Sequence, residues 1–509
     1  MLKKTMRKIA GSATWKWRDC GFQPVGRKIV AHGVSRGNEA CAEEPPQGAE
    51  DGAAALFRPE PGLRESRGFP TAHAVGYALS LLRAWIRSLP GSPRFCRTPK
   101  TALVAAIIPI LFFAGPAPAQ SSPEAKAVCG QAGVIARDLT EISGMKLLHP
   151  VPCDLITKDK VNQFLKKRVK DSASPEDIRA QELVLRKFGF VPQDFDLAKT
   201  TVDLLTEQAA AYYDYDRRKL FIIESTPSGD QEPVLAHELS HALADQHFRL
   251  AKFIRKGRES DDGSTARMAV MEGQATWMMS EYLARKMGRS LKDSPELVAL
   301  MSSMSVSGGG QYPVLDNAPL YLRMSLVFPY TKGMLFQNAL IQRDGQEGFA
   351  EPFRRAPVST HQILHPEDYF SSVQPAQPAL PRPRLPGGYK ALVGGTMGEA
   401  DHAILIEQFA GKEAAAKIAP HWRGSTFEVR ENKKAGRAVL LYAVEWDSEE
   451  SARRYFAFYR EALGKKWKKL TVRAETADSA SGTGDDGRFE LRRDGVTVTS
   501  VEGLAPELE

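Results

Sequence analysis

Cysteine is scarce in this chain, with five residues among 509. That is too few for a disulfide scaffold standing in for a hydrophobic core. Long apolar runs are equally scarce. The clearest one, from Thr101 to Gly115, is short for a membrane span and contains Pro109, which argues against a permanent anchor. An excess of one charge is missing from most of the chain. The net charge is +8, yet residues 1–100 hold 17 Lys and Arg against 8 Asp and Glu, and the remainder hold 52 against 53. A neutral body offers no electrostatic footprint for nucleic acid. What the chain does have is length, enough for two or three domains and more than one sizeable core.

Residues 1–97 are rich in Arg, Gly, Pro and Ala without a sustained helical or strand period. They read as a non-native or unstructured extension. The stretch "RTPKTALVAAIIPILFFAGPAPAQSS" then supplies basic residues, an apolar run and Ala117-Pro118-Ala119. These are the three parts of a secretory signal peptide, expected over 98–119 with cleavage after Ala119. A leader so far into a chain points to translation starting near residue 90. The expected location is periplasmic or secreted, with no stable membrane span after cleavage. Only Cys129 and Cys153 lie beyond that cleavage point. An even pair in an exported chain predicts one disulfide, the alternative being two buried thiols.

Beyond the leader the chain reads as α+β. Residues 120–370 form a mainly helical domain with a short sheet, in which "AAAYYDYDRRKLFIIES" is two strands around a turn at Asp214–Arg218. "EPVLAHELSHALADQHF" is a helix, with Asp230 or Ser228 to cap it and Pro233 in its first turn. A second helix runs through "ARMAVMEGQATWMMSEYLARKMG". Five prolines in residues 371–388 mark a stiff linker. Residues 389–509 alternate helices and strands as a small α+β domain without a ligand cluster or nucleophile, suited at most to binding an unknown partner.

The chemistry concentrates in "VLAHELSHALADQHF". On a helix His237 and His241 are four residues apart, so both rings can face one metal ion. Zinc lowers the pKa of a water it holds to about 7, and Glu238, beside the first ligand, can take that proton as general base. The bland alternative is a solvated helix that happens to carry two histidines. The third ligand has two candidates. His247 falls where a three-histidine site would have it, but Ala244 occupies the position where glycine would let the helix end. If the helix continues, His247 lies about 15 Å along from His237, out of reach. Glu272, in "MEGQAT" on the next helix, is the stronger candidate, since burying it without a partner in so apolar a segment is costly. Glu281 lies further along the same helix and points elsewhere.

Taken in order, "AAAYYDYDRRKLFII", "VLAHELSHALADQHF", "MEGQAT", "FPYTKG" and "STHQILHPEDYF" resemble a group of exported bacterial H-E-x-x-H proteins related to the gluzincin metallopeptidases. The likeness covers most of residues 139–370, and "WDSEESARRYF" extends it into the C-terminal part. It implies a zincin-like fold, a Zn2+ cofactor, His237, His241 and Glu272 as ligands, and Glu238 as base. One departure is Thr276 where many gluzincins carry an aspartate; its hydroxyl orients a ligand histidine less firmly than a carboxylate does. For the oxyanion or the surroundings of the metal, Tyr330, His365 and Tyr369 are candidates, with His365-Pro366 equally suited to a structural turn. His361 stands where the group has glutamate, which weakens its own claim. Two functions follow. One is an exported zinc-dependent hydrolase, a metallopeptidase acting on protein or peptide chains laid beside the "KLFII" strand. The other is a non-enzymatic zinc-stabilised envelope scaffold, which would have no need of Glu238 and would close the metal with a fourth protein ligand.

Overall fold

A computed structural model describes residues 107–110 and 123–505, except 173, 209, 227, 258–259 and 305–311. The extension at 1–97 lies outside the described residues, as does the leader at 98–119 apart from 107–110. The fold is mixed α+β, as the patterning predicts.

The helical part is built round a four-stranded sheet in the order β1-β3-β4-β2, with β1 Ile107–Ile110, β2 Cys153–Ile156, β3 Ala211–Asp214 and β4 Lys219–Ile223. Strands β3 and β4 form the expected hairpin. Its turn is set by Asp214, whose Oδ1 accepts from the backbone N–H of Asp216 and of Arg217 at 3.0 and 3.1 Å. Strand β2 runs parallel to β4, and β1 pairs antiparallel with β3. This order corrects one expectation. "KLFII" is β4, held between β3 and β2, so no extended substrate can lie beside it. Its four buried residues are the mark of an interior strand. The edge beside the H-E-x-x-H helix belongs to β3, where β1 is paired in this chain.

Helix α1 (Pro123–Ser143) is tied to β2 by the Cys129–Cys153 disulfide, with the two Cα atoms 5.6 Å apart. Helix α2 (Pro175–Phe188) begins on a capping box between Ser174 and Asp177 and ends at Gly189 in the left-handed region. Helix α3 (Ser228–Phe248) carries the H-E-x-x-H motif; it starts early enough that Pro233 falls inside it. Helix α4 (Asp261–Lys286) is capped by Ser260, whose side chain accepts from the Gly263 N–H. It is buried along almost all of its length, as expected of a helix apolar on every side. Helix α5 (Leu320–Asp344) crosses it, followed by the short α6 (Thr360–Leu364) and α7 (Pro366–Phe370).

The C-terminal part is a seven-stranded sheet in the order β5-β6-β7-β11-β10-β9-β8, antiparallel throughout. Its strands are β5 Lys390–Gly395, β6 Trp422–Asn432, β7 Arg437–Trp446, β8 Thr471–Glu475, β9 Ser479–Gly484, β10 Gly487–Asp494 and β11 Thr497–Leu504. Helices α8 (Glu399–Ala410) and α9 (Glu449–Lys466) pack on it. Most of the buried apolar residues form one continuous cluster from Ala132 in α1 to Val498 in β11. Phe188 of α2 sets its ring edge-on against Phe427 and Tyr442 of the sheet, at 5.5 and 5.3 Å between centroids. The proline-rich segment does not hang free between the two parts. Leu380, Leu385 and Tyr389 lie on a small apolar cluster of Val439, Leu441, Val501 and Leu504. The Ala376 N–H donates to Arg423 O at 2.7 Å, so close that a Cβ on Gly424 would meet Ala376 O at 2.0 Å.

The disulfide closes a loop with a sequence separation of 24 between α1 and β2, which restrains the unfolded chain and stabilises the fold by about 3 kcal/mol. Mass spectrometry of an unreduced digest is expected to find Cys129 and Cys153 in one linked peptide that separates on reduction. Two alkylatable thiols at these positions in native-purified protein would refute the bridge.

Candidate metal centre

The site is assembled from α3 and α4, with β3 and α5 closing round it. His237, Glu238 and Glu272 are each 0 % exposed and His241 is 1 %. His237 Nε2 lies 3.0 Å from His241 Nε2 and 3.3 Å from Glu272 Oε2, and His241 Nε2 lies 3.5 Å from the same carboxylate oxygen. Those three separations match the edge of a tetrahedron of zinc ligands, about 3.3 Å for bonds of about 2.05 Å. Both imidazoles turn the same nitrogen, Nε2, towards one carboxylate oxygen.

Burial dominates the electrostatics. It pushes the His237 imidazole down to about 4, which keeps it neutral with a lone pair to offer. Burial acts to raise Glu272, but the two histidines outweigh it and hold its carboxyl below the usual range. Glu238 is driven well above the ordinary carboxylate range, chiefly by burial and then by the charge of Glu272. Neither Glu238 oxygen bonds to a side chain, and Glu272 Oε1 and His237 Nδ1 are likewise without a hydrogen-bond partner. Buried polar atoms are nearly always satisfied, so carboxylate oxygens left without a side-chain partner beside two imidazoles fit a cation with its water better than an apolar core.

His247 is not part of this group. Helix α3 runs on through Ala244 to Phe248 and breaks only at Arg249, whose φ is 55°. His247 sits exposed at that end and donates from Nε2 to Lys146 O at 2.8 Å. Its neighbour Gln246 accepts from the N–H of Leu148 and of His149, so the helix end grips the segment that leaves α1. Glu281 also points away, accepting from Arg285 Nε and the Leu291 N–H at 2.8 and 2.7 Å.

Tyr330, on α5, is fully buried with its ring stacked on His237 at 6.1 Å between centroids. Its hydroxyl is held well above the usual range by burial and by the Glu272 charge. Thr276 is buried one turn after Glu272, but its hydroxyl bonds to no group, His237 Nδ1 included. The single short hydroxyl arm leaves the ring-orienting role unfilled. His365 and Tyr369 have other partners. His365 Nε2 is 3.1 Å from both oxygens of Glu399, and the Tyr369 hydroxyl donates to Arg355 O at 2.6 Å. These bonds turn both side chains to Glu399 and Arg355 and not to His237, Glu238, His241 or Glu272.

Two contributors escaped the sequence. Tyr215, just past β3, is buried with its ring edge-on to His241 at 6.5 Å. Three tyrosines in "YYDY" were the available signal, with nothing to say which one faces inward. The other is glycine. A Cβ on Gly273 would meet the Gly333 backbone at 2.0 Å, and one on Gly333 would meet Ala269 O at 2.1 Å. The glycines of "MEGQAT" and "FPYTKG" are therefore the contact at which α4 and α5 cross, and that contact sets Tyr330 beside Glu272 and His237.

Among known families, residues 389–509 match a domain of unknown function, DUF8575. The match covers the seven-stranded sheet with α8 and α9 and leaves the metal centre outside it. No curated protein and no solved structure matches the chain.

Zinc content separates the two candidates for the third ligand. Glu272→Ala is expected to lose most of the metal and His247→Ala to keep it; exchanged phenotypes would move the site to the three-histidine class. Gly273→Ala is expected to destabilise the fold by at least about 1–3 kcal/mol, the usual penalty of forcing extra volume into a packed contact. Thermal or urea unfolding measures this, and a neutral Gly273→Ala would show that the crossing is looser than its backbone distances imply.

Proposed function

We propose that the chain is a zinc-dependent hydrolase of zincin-like architecture, most simply an exported metallopeptidase. The observation that carries this reading is the set of three ligand atoms, each 3.0–3.5 Å from the others, beside a buried Glu238 that no side chain engages. His237, His241 and Glu272 are the residues to hold the metal. Zinc bound there supplies Lewis acidity towards a carbonyl and makes water acidic near neutral pH.

The remaining work falls to the protein's own groups. Glu238 accepts the proton of the attacking water and passes it to the leaving amine, so an ionised carboxylate at the start of the cycle is required. Burial opposes that form, and a positive charge at the ligands restores it. The Tyr330 hydroxyl, held protonated by its surroundings, remains a donor at any physiological pH and is aimed at the same region. An extended peptide gains backbone hydrogen bonds by adding to the outer edge of β3, the mode in which sheet edges recognise peptides. Ile107–Ile110 holds that edge in this chain, so removal of the leader with cleavage after Ala119 exposes it. Export accounts for the leader and for a disulfide. Among the described residues, no helix is long and apolar enough to cross a membrane.

Glu238→Gln is expected to reduce hydrolysis of a peptide library by about 100-fold or more, the typical contribution of a positioned general base, while zinc content stays at the wild-type value. Retained activity would remove Glu238 from the mechanism, and loss of metal would make it a ligand.

A further inference from the structure

A second set of metal-ligating side chains lies where the helical part meets the C-terminal sheet. His361 and His365 are four residues apart, joined by the helical bond from the His365 N–H to His361 O at 2.8 Å. Their rings therefore leave the same side of the chain and lie 4.5 Å apart. Glu399, the first residue of α8, comes up between them. Its Oε2 is 2.5 Å from His361 Nδ1, and both of its oxygens are 3.1 Å from His365 Nε2. His361 and Glu399 are 4 % and 3 % exposed. His365 is partly open to solvent, with a quarter of its side chain accessible. The far nitrogen of His361, Nε2, meets Asp368 Oδ2 at 2.8 Å. A carboxylate on the second ring nitrogen is how metal-binding histidines are held in one tautomer. Among the described residues, no such group meets His237 Nδ1.

Charge at the seam points the same way. Asp261 and Asp262, at the start of α4, are buried beside Glu399 and the partly buried Asp401. Gly395 and Gly398 come so close that a Cβ on either would strike Asp261 Oδ2 or Asp262 Oδ1, at 2.1 and 1.8 Å. Among the described residues, the ion pairs of Glu399 are with His361 and His365 alone, and none joins a Lys or Arg to Asp261 or Asp262. Several carboxylates packed together without a cation are expensive to bury. Two imidazoles and a carboxylate are a donor set suited to zinc.

We propose that His361, His365 and Glu399 bind a second zinc ion, held between α6 and α8. Three protein ligands hold it, and the exposed side of His365 admits water as the fourth. The His361–Glu399 pair, now at hydrogen-bond distance, opens towards the ligand spacing of about 3.3 Å when the metal enters. This inference is independent of the hydrolase reading, because the two sites share no ligand.

The test is zinc stoichiometry of the full chain by elemental analysis after dialysis against a weak chelator. It compares wild type with Glu399→Gln and with His237→Gln. Glu399→Gln keeps the size and hydrogen-bonding reach of the side chain while removing the anionic ligand, so the fold is retained. The expected result is two equivalents in the wild type and one in each variant, with the thermal midpoint of Glu399→Gln no longer responding to added zinc at the seam. Should the H-E-x-x-H centre bind no zinc, the wild type holds one equivalent, which Glu399→Gln loses and His237→Gln keeps. A Glu399→Gln chain retaining all of the wild-type zinc overturns the proposal, whatever His237→Gln does.

Discussion

The contact between Gly273 and Gly333 is the constraint on which the candidate metal centre depends. Helix α4 presents Glu272 to the histidines of α3 only if the neighbouring face at Gly273, about 100° round the helix, can lie backbone to backbone on α5. With any side chain at that crossing the axes must separate by more than the slack that hydrogen bonds and metal bonds tolerate. Ligand geometry at zinc is set within a few tenths of an ångström, so a contact that makes no direct bond to the metal fixes whether the metal can be held. The same crossing brings Tyr330 over His237. One pair of glycines thus positions a ligand and a hydroxyl at once, from two helices that meet nowhere in sequence.

The local parts of this site were legible in the sequence because they obey local rules. H-E-x-x-H places two rings on one helical face, and Ala244 in place of glycine keeps the helix going until His247 has been carried to its end. The helix does run to Phe248, and His247 grips Lys146 O there. The strands either side of Asp214 were equally plain. What periodicity could not show was the neighbour of each strand. A run such as "KLFII" reads the same whether it is an edge or an interior strand, and the interior position emerges only once β2 pairs in parallel with it. Tyr215 and the two glycines were hidden for a related reason, since their importance lies in what another segment brings against them.

The C-terminal part shows another limit of composition. Its proline run has the composition of a stiff linker, and backbone stiffness alone supports that reading. Yet Leu380, Leu385 and Tyr389 alternate with those prolines, and in the fold they cover one face of the seven-stranded sheet. Proline removes hydrogen-bond donors without removing the chain's ability to bury apolar side chains. The histidines of "STHQILHP" read as helpers of the H-E-x-x-H site or as a structural turn, because their neighbour Glu399 lies in a segment that alone shows no cluster.

Helix α4 physically joins the two clusters. Asp261 and Asp262 start it at the seam, where the N–H and hydroxyl of Thr360 both bond Asp262 Oδ1 at 2.9 and 2.6 Å. Glu272 follows eleven residues later, about 16 Å along the same axis. A buried helix with close-packed sides does not bend readily over three turns, so its placement at one end sets its placement at the other. Whatever neutralises the carboxylates at the seam therefore also governs how steadily Glu272 is offered to His237 and His241. The C-terminal sheet supplies no ligand to the H-E-x-x-H centre, but it anchors the helix that does.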